Sequence, residues 1–121
     1  MKVIVKCTEN VQNYNLVKYN SENIIDQYDN IGSVVGIAQN CKKQIILVND
    51  IETEINTCEL VIYDVASCVL SSVLSMNGGV VYADNHNVSN SGNVAVGYVF
   101  PKNFGDSSNY QIGDTVSILL R

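Results

Sequence analysis

The stretch S-G-N-V-A-V-G-Y-V at residues 91–99 echoes an earlier phrase, I-G-S-V-V-G-I-A at residues 31–38. Each phrase has a glycine, Gly36 or Gly97, inside a run of mostly apolar residues. Glycine weakens a strand, and inside one it is typical of a bulge, a sharp bend or a close approach of two backbones. The phrase therefore predicts a bent strand that occurs twice.

Segments on either side of the two phrases also correspond. The paired segments are L-V-K-Y-N (16–20) with V-V-Y-A-D-N (80–85), K-V-I-V-K-C (2–7) with A-S-C-V-L-S (66–71), and Q-I-I-L-V (44–48) with D-T-V-S-I-L-L (114–120). Chance similarity between valine-rich strands is the alternative to a true duplication. We predict a single all-β domain over residues 1–121, a small barrel or sandwich built from two similar halves of about 1–57 and 58–121.

Short β-branched runs between turn residues define the predicted strands. They lie near 2–7, 14–20, 33–38, 44–48, 59–63, 69–76, 79–83, 93–99 and 114–120. The N-G-G at 77–79 is a hairpin signal, because Asn-Gly readily adopts positive φ, and predicts pairing of 69–76 with 79–83.

Residues 65–76 allow two interpretations. Apolar residues at 65, 66, 69, 70, 73 and 74 have helical spacing, with Asp64 as an N-cap. Serine and β-branched residues are poor helix formers, so we predict strand here and keep helix as the alternative.

Charge and hydropathy exclude several classes of partner. Seven Lys and Arg against twelve Asp and Glu give a net charge of −5, which opposes binding to nucleic acid or to anionic lipid. The first residues, M-K-V-I-V-K-C, lack the apolar core of a signal peptide, and no run approaches the length of a membrane span. We expect no nucleic acid, no membrane and no export.

The residue types that carry chemistry are scattered. Cys7, Cys41, Cys58 and Cys68 lie far apart without zinc spacing, so buried reduced thiols are expected rather than disulfides. The single histidine, His86, lies in a polar loop, and a triad with Cys58 and Asp84 is disfavoured. We predict no catalytic, cofactor-binding or metal-ligating residues, and a protein that is not an enzyme.

The acidic stretch N-D-I-E-T-E-I-N at 49–56 alternates carboxylates with apolar residues. In an extended segment Asp50, Glu52 and Glu54 would share one face, with Ile51 and Ile55 on the other. A divalent cation is one interpretation of such a row. The wet face of an edge strand, protected by charge, is the interpretation we favour.

Aromatic residues concentrate in a predicted loop, Y-V-F-P-K-N-F-G-D-S-S-N-Y at 98–110. Aromatic side chains dominate interface energetics, so the sequence offers Tyr98, Phe100, Phe104 and Tyr110 as partner-binding residues. The alternative is a loop that folds over the end of the sheet and plugs the core.

Three short motifs, Val81-Tyr82, Val96-Gly97 and Gly113-Asp114-Thr115-Val116, resemble a pattern in small bacteriophage virion proteins. These are capsid decoration or head-fibre proteins and the β-modules of tail fibres. The resemblance implies a non-enzymatic structural protein without a cofactor. It would be a homotrimer, made in the host cytoplasm and located in the virion, that binds a capsid or tail scaffold.

A carbohydrate- or small-ligand-binding β-module is the alternative function, with the aromatic residues of 98–110 as a stacking platform. A virion role predicts self-association. A binding module predicts a monomer whose melting temperature rises with ligand.

Overall fold

The structure is a computed structural model that describes residues 1–75, 79–100 and 109–121. The strands are β1 (Lys2–Cys7), β2 (Leu16–Tyr19), β3 (Ile25–Gln27), β4 (Gly36–Val48), β5 (Ile51–Val61), β6 (Val65–Val69), β7 (Leu74–Ser75), β8 (Val80–Asp84), β9 (Asn87–Ser89), β10 (Ala95–Phe100), β11 (Asn109–Tyr110) and β12 (Thr115–Leu120). No helix occurs in the described residues, so the all-β prediction is confirmed. Within these ranges we find no helix that could cross a membrane.

The first five strands form sheet A, in the order β1-β3-β2-β4-β5. Strand β5 also pairs antiparallel with β1, from Lys2 opposite Val61 to Cys7 opposite Asn56, so the sheet closes into a ring. The contact between β1 and β3 is parallel and consists of one pair, Cys7 with Ile25. That pair is the seam of the ring.

Sheet B has the order β6-β12-β10-β8-β9. A parallel bridge joins Leu70, directly after β6, to Val88 in β9. Strands β7 and β11 form a separate two-stranded sheet. The turn between β8 and β9 links the sheets, because the Leu16 amide donates to the His86 carbonyl at 2.9 Å and the Asn85 amide donates to Asn30 Oδ1 at 2.9 Å.

Two apolar clusters hold these sheets together. The first fills the ring of sheet A and contains Cys7, Val11, Val17, Ile25, Ala38, Cys58 and Leu60. The second contains the buried residues of sheet B, among them Val81, Val88, Val116 and Ile118, together with Leu16, Ile37 and Val61 from sheet A. Sheet A therefore buries residues on both of its faces, one inside the ring and one against sheet B.

Both glycines of the repeated phrase lie against a neighbouring backbone, as predicted. A Cβ on Gly36 would overlap the carbonyl oxygen of Val61, and a Cβ on Gly97 would overlap that of Leu119. The pairing of β10 with β8 also shifts register between Ala95 and Gly97, which marks a bulge.

The predicted hairpin that pairs 69–76 with 79–83 is wrong. Leu74–Ser75 pairs with Asn109–Tyr110 instead, and Val80–Asp84 pairs with β9 and β10. Most of the N-G-G turn lies outside the described residues. The local turn signal failed here because Leu74–Ser75 has a partner far along the chain, while Val80–Asp84 pairs with the strands that follow it.

Other strand predictions need correction in length. The predicted strands 33–38 and 44–48 are parts of one strand, β4, and the strand expected at 59–63 begins at Ile51. Residues 65–69 and 74–75 are strands, so the helical alternative for 65–76 is wrong there. Strands β3, β9 and β11 were not predicted, because each has only two or three residues and a mostly polar sequence.

Candidate association site

The hairpin of β4 and β5 extends well beyond the ring of sheet A. The pairing of β5 with β1 stops at Asn56, the end of that ladder nearer the hairpin turn, while the hairpin itself continues to Val48 opposite Ile51. Residues 43–55, which we call the arm, thus have strand neighbours only within this hairpin among the described strands. The arm is a two-stranded projection.

A tight turn ends the arm. Asn49 and Asp50 connect the two strands, with φ of 52° and 62°. Two successive residues at positive φ are the signature of a type I′ turn, whose twist suits a two-residue hairpin, and Asn and Asp are among the residues that tolerate it. The sequence N-D therefore sets the register of the whole arm.

Large apolar side chains are exposed on both faces of the arm. The accessible fractions of Ile45, Leu47 and Ile51 are 67%, 70% and 68%. Because residues directly opposite in the ladder share a face, Ile45 and Leu47 lie with Glu54 and Glu52 on one face. The second face is more apolar and carries Ile46, Val48, Ile51, Thr53 and Ile55. Exposed apolar patches of this kind mark protein interfaces.

The charges of the arm are unequally paired. Lys43 lies 2.9 Å from Glu54, and this hydrogen bond and attraction raise the pKa of the Lys43 ammonium. Glu52, on the same face, forms no ion pair within the described residues. The face with Ile45 and Leu47 thus combines apolar surface with a free carboxylate. The predicted alternation holds for Glu52, Glu54, Ile51 and Ile55, but Asp50 belongs to the turn.

A second exposed apolar surface crosses sheet B. Val65 is opposite Leu119, Leu119 is opposite Tyr98, and Tyr98 is opposite Val80, so these four side chains form one line across β6, β12, β10 and β8, which we call the apolar row. Val65, Leu119 and Tyr98 are 39%, 38% and 36% exposed, and Val80 is half-buried. The Arg121 guanidinium carbon lies 4.9 Å from the centroid of the Tyr98 ring, a cation–π distance.

A cleft of ≈ 550 Å³ lies where the two sheets meet. Its lining includes Tyr19, Val34, Ile62, Tyr63, Val96 and Arg121. Tyr63 is 78% exposed and has φ of 51°, an uncommon conformation for an aromatic residue. The cleft is large enough for a small ligand.

The four predicted partner-binding residues have different surroundings. Tyr98 lies in the apolar row, while Tyr110 is half-buried and packs against the second apolar cluster. Phe104 lies outside the described residues, and of Phe100 only the place in β10 is described. The rest of the predicted loop, 101–108, lies outside the described residues, and Tyr110 itself packs as a core plug would.

The cysteines are free thiols; Cys7, Cys58 and Cys68 are buried, as expected, whereas Cys41 is half-buried. Burial raises the pKa of the Cys58 and Cys68 thiols to about 12. Cys58 lies inside the ring of sheet A. His86 lies in the turn after β8, where its backbone carbonyl accepts a hydrogen bond from the Cys68 thiol at 3.9 Å. No group of three potential metal-ligating side chains occurs in the described ranges.

The arm is the main feature that sequence analysis missed. The acidic alternation was interpreted as the wet face of an edge strand, and 44–48 as a separate closing strand. The signal that identifies the hairpin is the N-D pair at 49–50 between two runs of β-branched residues. Exposure of both faces depends on where β1 and β2 end, which no local pattern shows.

Comparisons of the chain with family models, with curated proteins and with solved structures found no match.

Proposed function

We propose that the protein is a non-enzymatic structural protein that assembles with copies of itself, as a homotrimer, and packs on a larger protein scaffold of a phage capsid or tail. The observation that carries this proposal is the arm, an apolar projection that the described residues leave uncovered. The trimeric state and the virion setting come from the resemblance of Val81-Tyr82, Val96-Gly97 and Gly113-Asp114-Thr115-Val116 to virion proteins. The strands that contain or directly follow these motifs, β8, β10 and β12, are neighbours in sheet B.

The exposed arm supports association because it is poorly explained as part of a monomer. An isolated two-stranded hairpin is only marginally stable in water and needs a third strand or a packed face. Both faces of the arm carry exposed apolar residues, Ile45 and Leu47 on one and Val48 and Ile51 on the other. Two uncovered faces suit two partners, a second copy and a scaffold.

We propose further that the two sheets are structural repeats, with β1, β2, β3, β4 and β5 corresponding to β6, β8, β9, β10 and β12. Equivalent pairs support this: the parallel contacts Cys7–Ile25 and Leu70–Val88 occupy the same place in the strand order. Gly36 against Val61 likewise corresponds to Gly97 against Leu119. The boundary of these repeats falls at 62–64, since a boundary at residue 57 would divide β5.

A polar substitution of the arm tests the proposal. Replacing Ile45 and Leu47 together by threonine keeps strand propensity and removes much of the apolar area of one face. The matched control replaces Ile31 and Ile112, which are 69% and 68% exposed outside the arm, by threonine. Sedimentation velocity across a concentration series should show an oligomer for the wild type and the control, and a smaller species for the arm variant.

A wild-type protein that stays monomeric at high concentration would refute self-association. An arm variant that associates as strongly as the control would show that this face makes no contact. The genes beside its own give an independent check: capsid or tail genes support the virion setting, and metabolic genes oppose it.

The cleft supports a second candidate, a carbohydrate- or small-ligand-binding module. Its exposed tyrosines, Tyr19 and Tyr63, border apolar surface and Arg121, an arrangement that suits stacking against a ring. A panel of mono- and oligosaccharides should then raise the melting temperature of the wild type. The variant Tyr63→Ala should lose this shift while keeping the unliganded melting temperature, because the Tyr63 side chain is mostly exposed.

A further inference from the structure

We infer that the arm of one copy docks on the apolar row of a second copy, through the face that carries Ile45, Leu47 and Glu52. This inference rests on the proposed self-association and names its two surfaces. Glu52 of the arm meets Arg121, whose guanidinium stacks on Tyr98 in the row. Each chain offers one arm and one row, so the contact joins different surfaces of the two copies.

The apolar row has the dimensions of a docking surface for a hairpin. It crosses four neighbouring strands, and three strand spacings of about 4.8 Å make it roughly 14 Å wide. Its members are directly opposite one another in the ladder, so they point to the same side of sheet B. A two-stranded arm with its side chains covers a strip of similar width.

Sheet A contains a similar line of residues that is covered. Leu16 is opposite Ile37 and Ile37 is opposite Val61, and all three are 0% exposed because they pack in one cluster with sheet B. The line across sheet B has no such cover among the described residues. It is therefore exposed apolar surface that a further element can bury.

Charge complementarity identifies the arm of a second copy as that element. The arm is acidic at its outer end, with Asp50, Glu52 and Glu54, and Lys43 already pairs with Glu54. Arg121 forms no ion pair within the described part of the chain. A carboxylate brought to the guanidinium beside the row would gain a charge-assisted hydrogen bond, and Glu52 lies on the same face as Ile45 and Leu47.

The arrangement is heterologous, since an arm meets a row and not another arm. Such contacts form rings when the rotation between copies closes, and open chains when it does not. The proposed trimer is a closed ring of three arm-to-row contacts. The second face of the arm, with Val48 and Ile51, stays available to another protein.

Charge reversal tests the contact. The single variants E52K and R121E should each weaken association by roughly tenfold or more, because each places like charges together at the contact. The variant E52K/R121E, with both changes in one chain, restores opposite charges and should recover most of the affinity. Glu22 is exposed in the turn between β2 and β3 and forms no ion pair within the described residues, so E22K is the matched control.

Mixing the two single variants separates a specific contact from damage to the fold. Each variant alone presents like charges on its arm and its row. In a mixture, the arm of E52K meets the row of R121E, and the arm of R121E meets the row of E52K, with opposite charges both times. Sedimentation velocity should show more association in the 1:1 mixture than in either variant alone. The recovery should stay below that of E52K/R121E, because a ring of three copies cannot alternate two variants and one of its contacts keeps like charges.

Three results would overturn the inference. E52K and R121E that both associate as tightly as E22K would show that the contact lies elsewhere, while the proposed self-association would stand. Single variants that are weakened but not recovered by the double change or by mixing would also overturn it. A wild type that is monomeric throughout would remove both the inference and the proposed function.

Discussion

At the scale of single residues, Gly36 lets β4 approach β5, and Gly97 lets β10 approach β12, more closely than a side chain at either position would permit. An added Cβ would overlap the facing carbonyl oxygen and would lie 2.9 Å from Leu60 Cδ1 or Ile118 Cγ2. We predict that Gly36→Ala and Gly97→Ala each lower the free energy of unfolding by about 1–3 kcal/mol, the usual cost of overpacking. Urea denaturation measures this.

Gly79→Ala is the control for both changes. Nothing lies within 4 Å of a Cβ at that position, so its effect should stay within about 0.5 kcal/mol. Equal stabilities of Gly97→Ala and Gly79→Ala would contradict the close approach of β10 to β12.

The buried thiol of Cys68 makes stability depend on alkaline pH. Burial raises its pKa from 9.0 to about 12, so the folded protein keeps a proton that the unfolded chain loses above pH 9. The contribution of this thiol to the free energy of unfolding is therefore fully present below pH 9 and is lost as the pH rises toward 12. We predict that the free energy of unfolding falls with rising pH more steeply in the wild type than in Cys68→Val, by about 1.4 kcal/mol per pH unit.

Denaturant unfolding at several pH values between about 8 and 11 measures the slope for the wild type and for Cys68→Val. Roughly in this range the Cys68 thiol is charged in the unfolded chain and neutral in the folded protein. All other titratable groups are common to both proteins, so the difference between the two slopes reports on Cys68 alone. Parallel curves for the wild type and Cys68→Val would show that this thiol ionises in the folded protein as it does in the unfolded chain.

At the scale of elements, the turn of the arm depends on residues that tolerate positive φ. We predict that Asp50→Gly preserves the arm, since glycine adopts φ of 62° freely, whereas Asn49→Val disrupts it. The cost of the valine is about 1–2 kcal/mol, felt in the arm alone. Hydrogen exchange of the amides in 43–55 should accelerate in Asn49→Val and not in Asp50→Gly, while amides of β8 keep their protection in both.

Most strands could be predicted from short β-branched runs between turn residues, and β8 and β12 bury alternate residues as half-buried strands do. The patterns failed where an element was short or its partner distant. Strand β9 has one apolar residue, Val88, and depends on β8 and Leu70 for its place. The wrong hairpin at 77–79 has the same cause, since the partner of Leu74–Ser75 is Asn109–Tyr110.

At the scale of the whole molecule, the two sheets share one core and should unfold together. Ile37 belongs to sheet A but is buried among sheet B residues. We predict that Ile37→Ala lowers the free energy of unfolding by about 2–5 kcal/mol and keeps a single transition. Far-ultraviolet circular dichroism and tyrosine signals should melt together. A first transition confined to sheet A would contradict a shared core.

The candidate site was predictable only in part. Tyr98 was proposed from the aromatic residues of 98–110, and it lies in the apolar row. Leu119 was assigned to a strand, whereas Val65 lay outside the predicted strands. No local pattern shows that they line up with Tyr98, because that alignment depends on the register of three strand pairs. The arm was hidden because exposed and buried isoleucines look alike in a sequence.

The seam of sheet A, where β1 contacts β3 through one residue pair, also affects how the chain folds during synthesis. Strand β1 emerges from the ribosome before its long antiparallel partner, β5, which ends only at Val61. Until then β1 has at most the single pair between Cys7 and Ile25. Translation at about 5–20 residues per second leaves Val3, Ile4 and Val5 without their main partner for several seconds, an interval in which a nascent chain depends on chaperones.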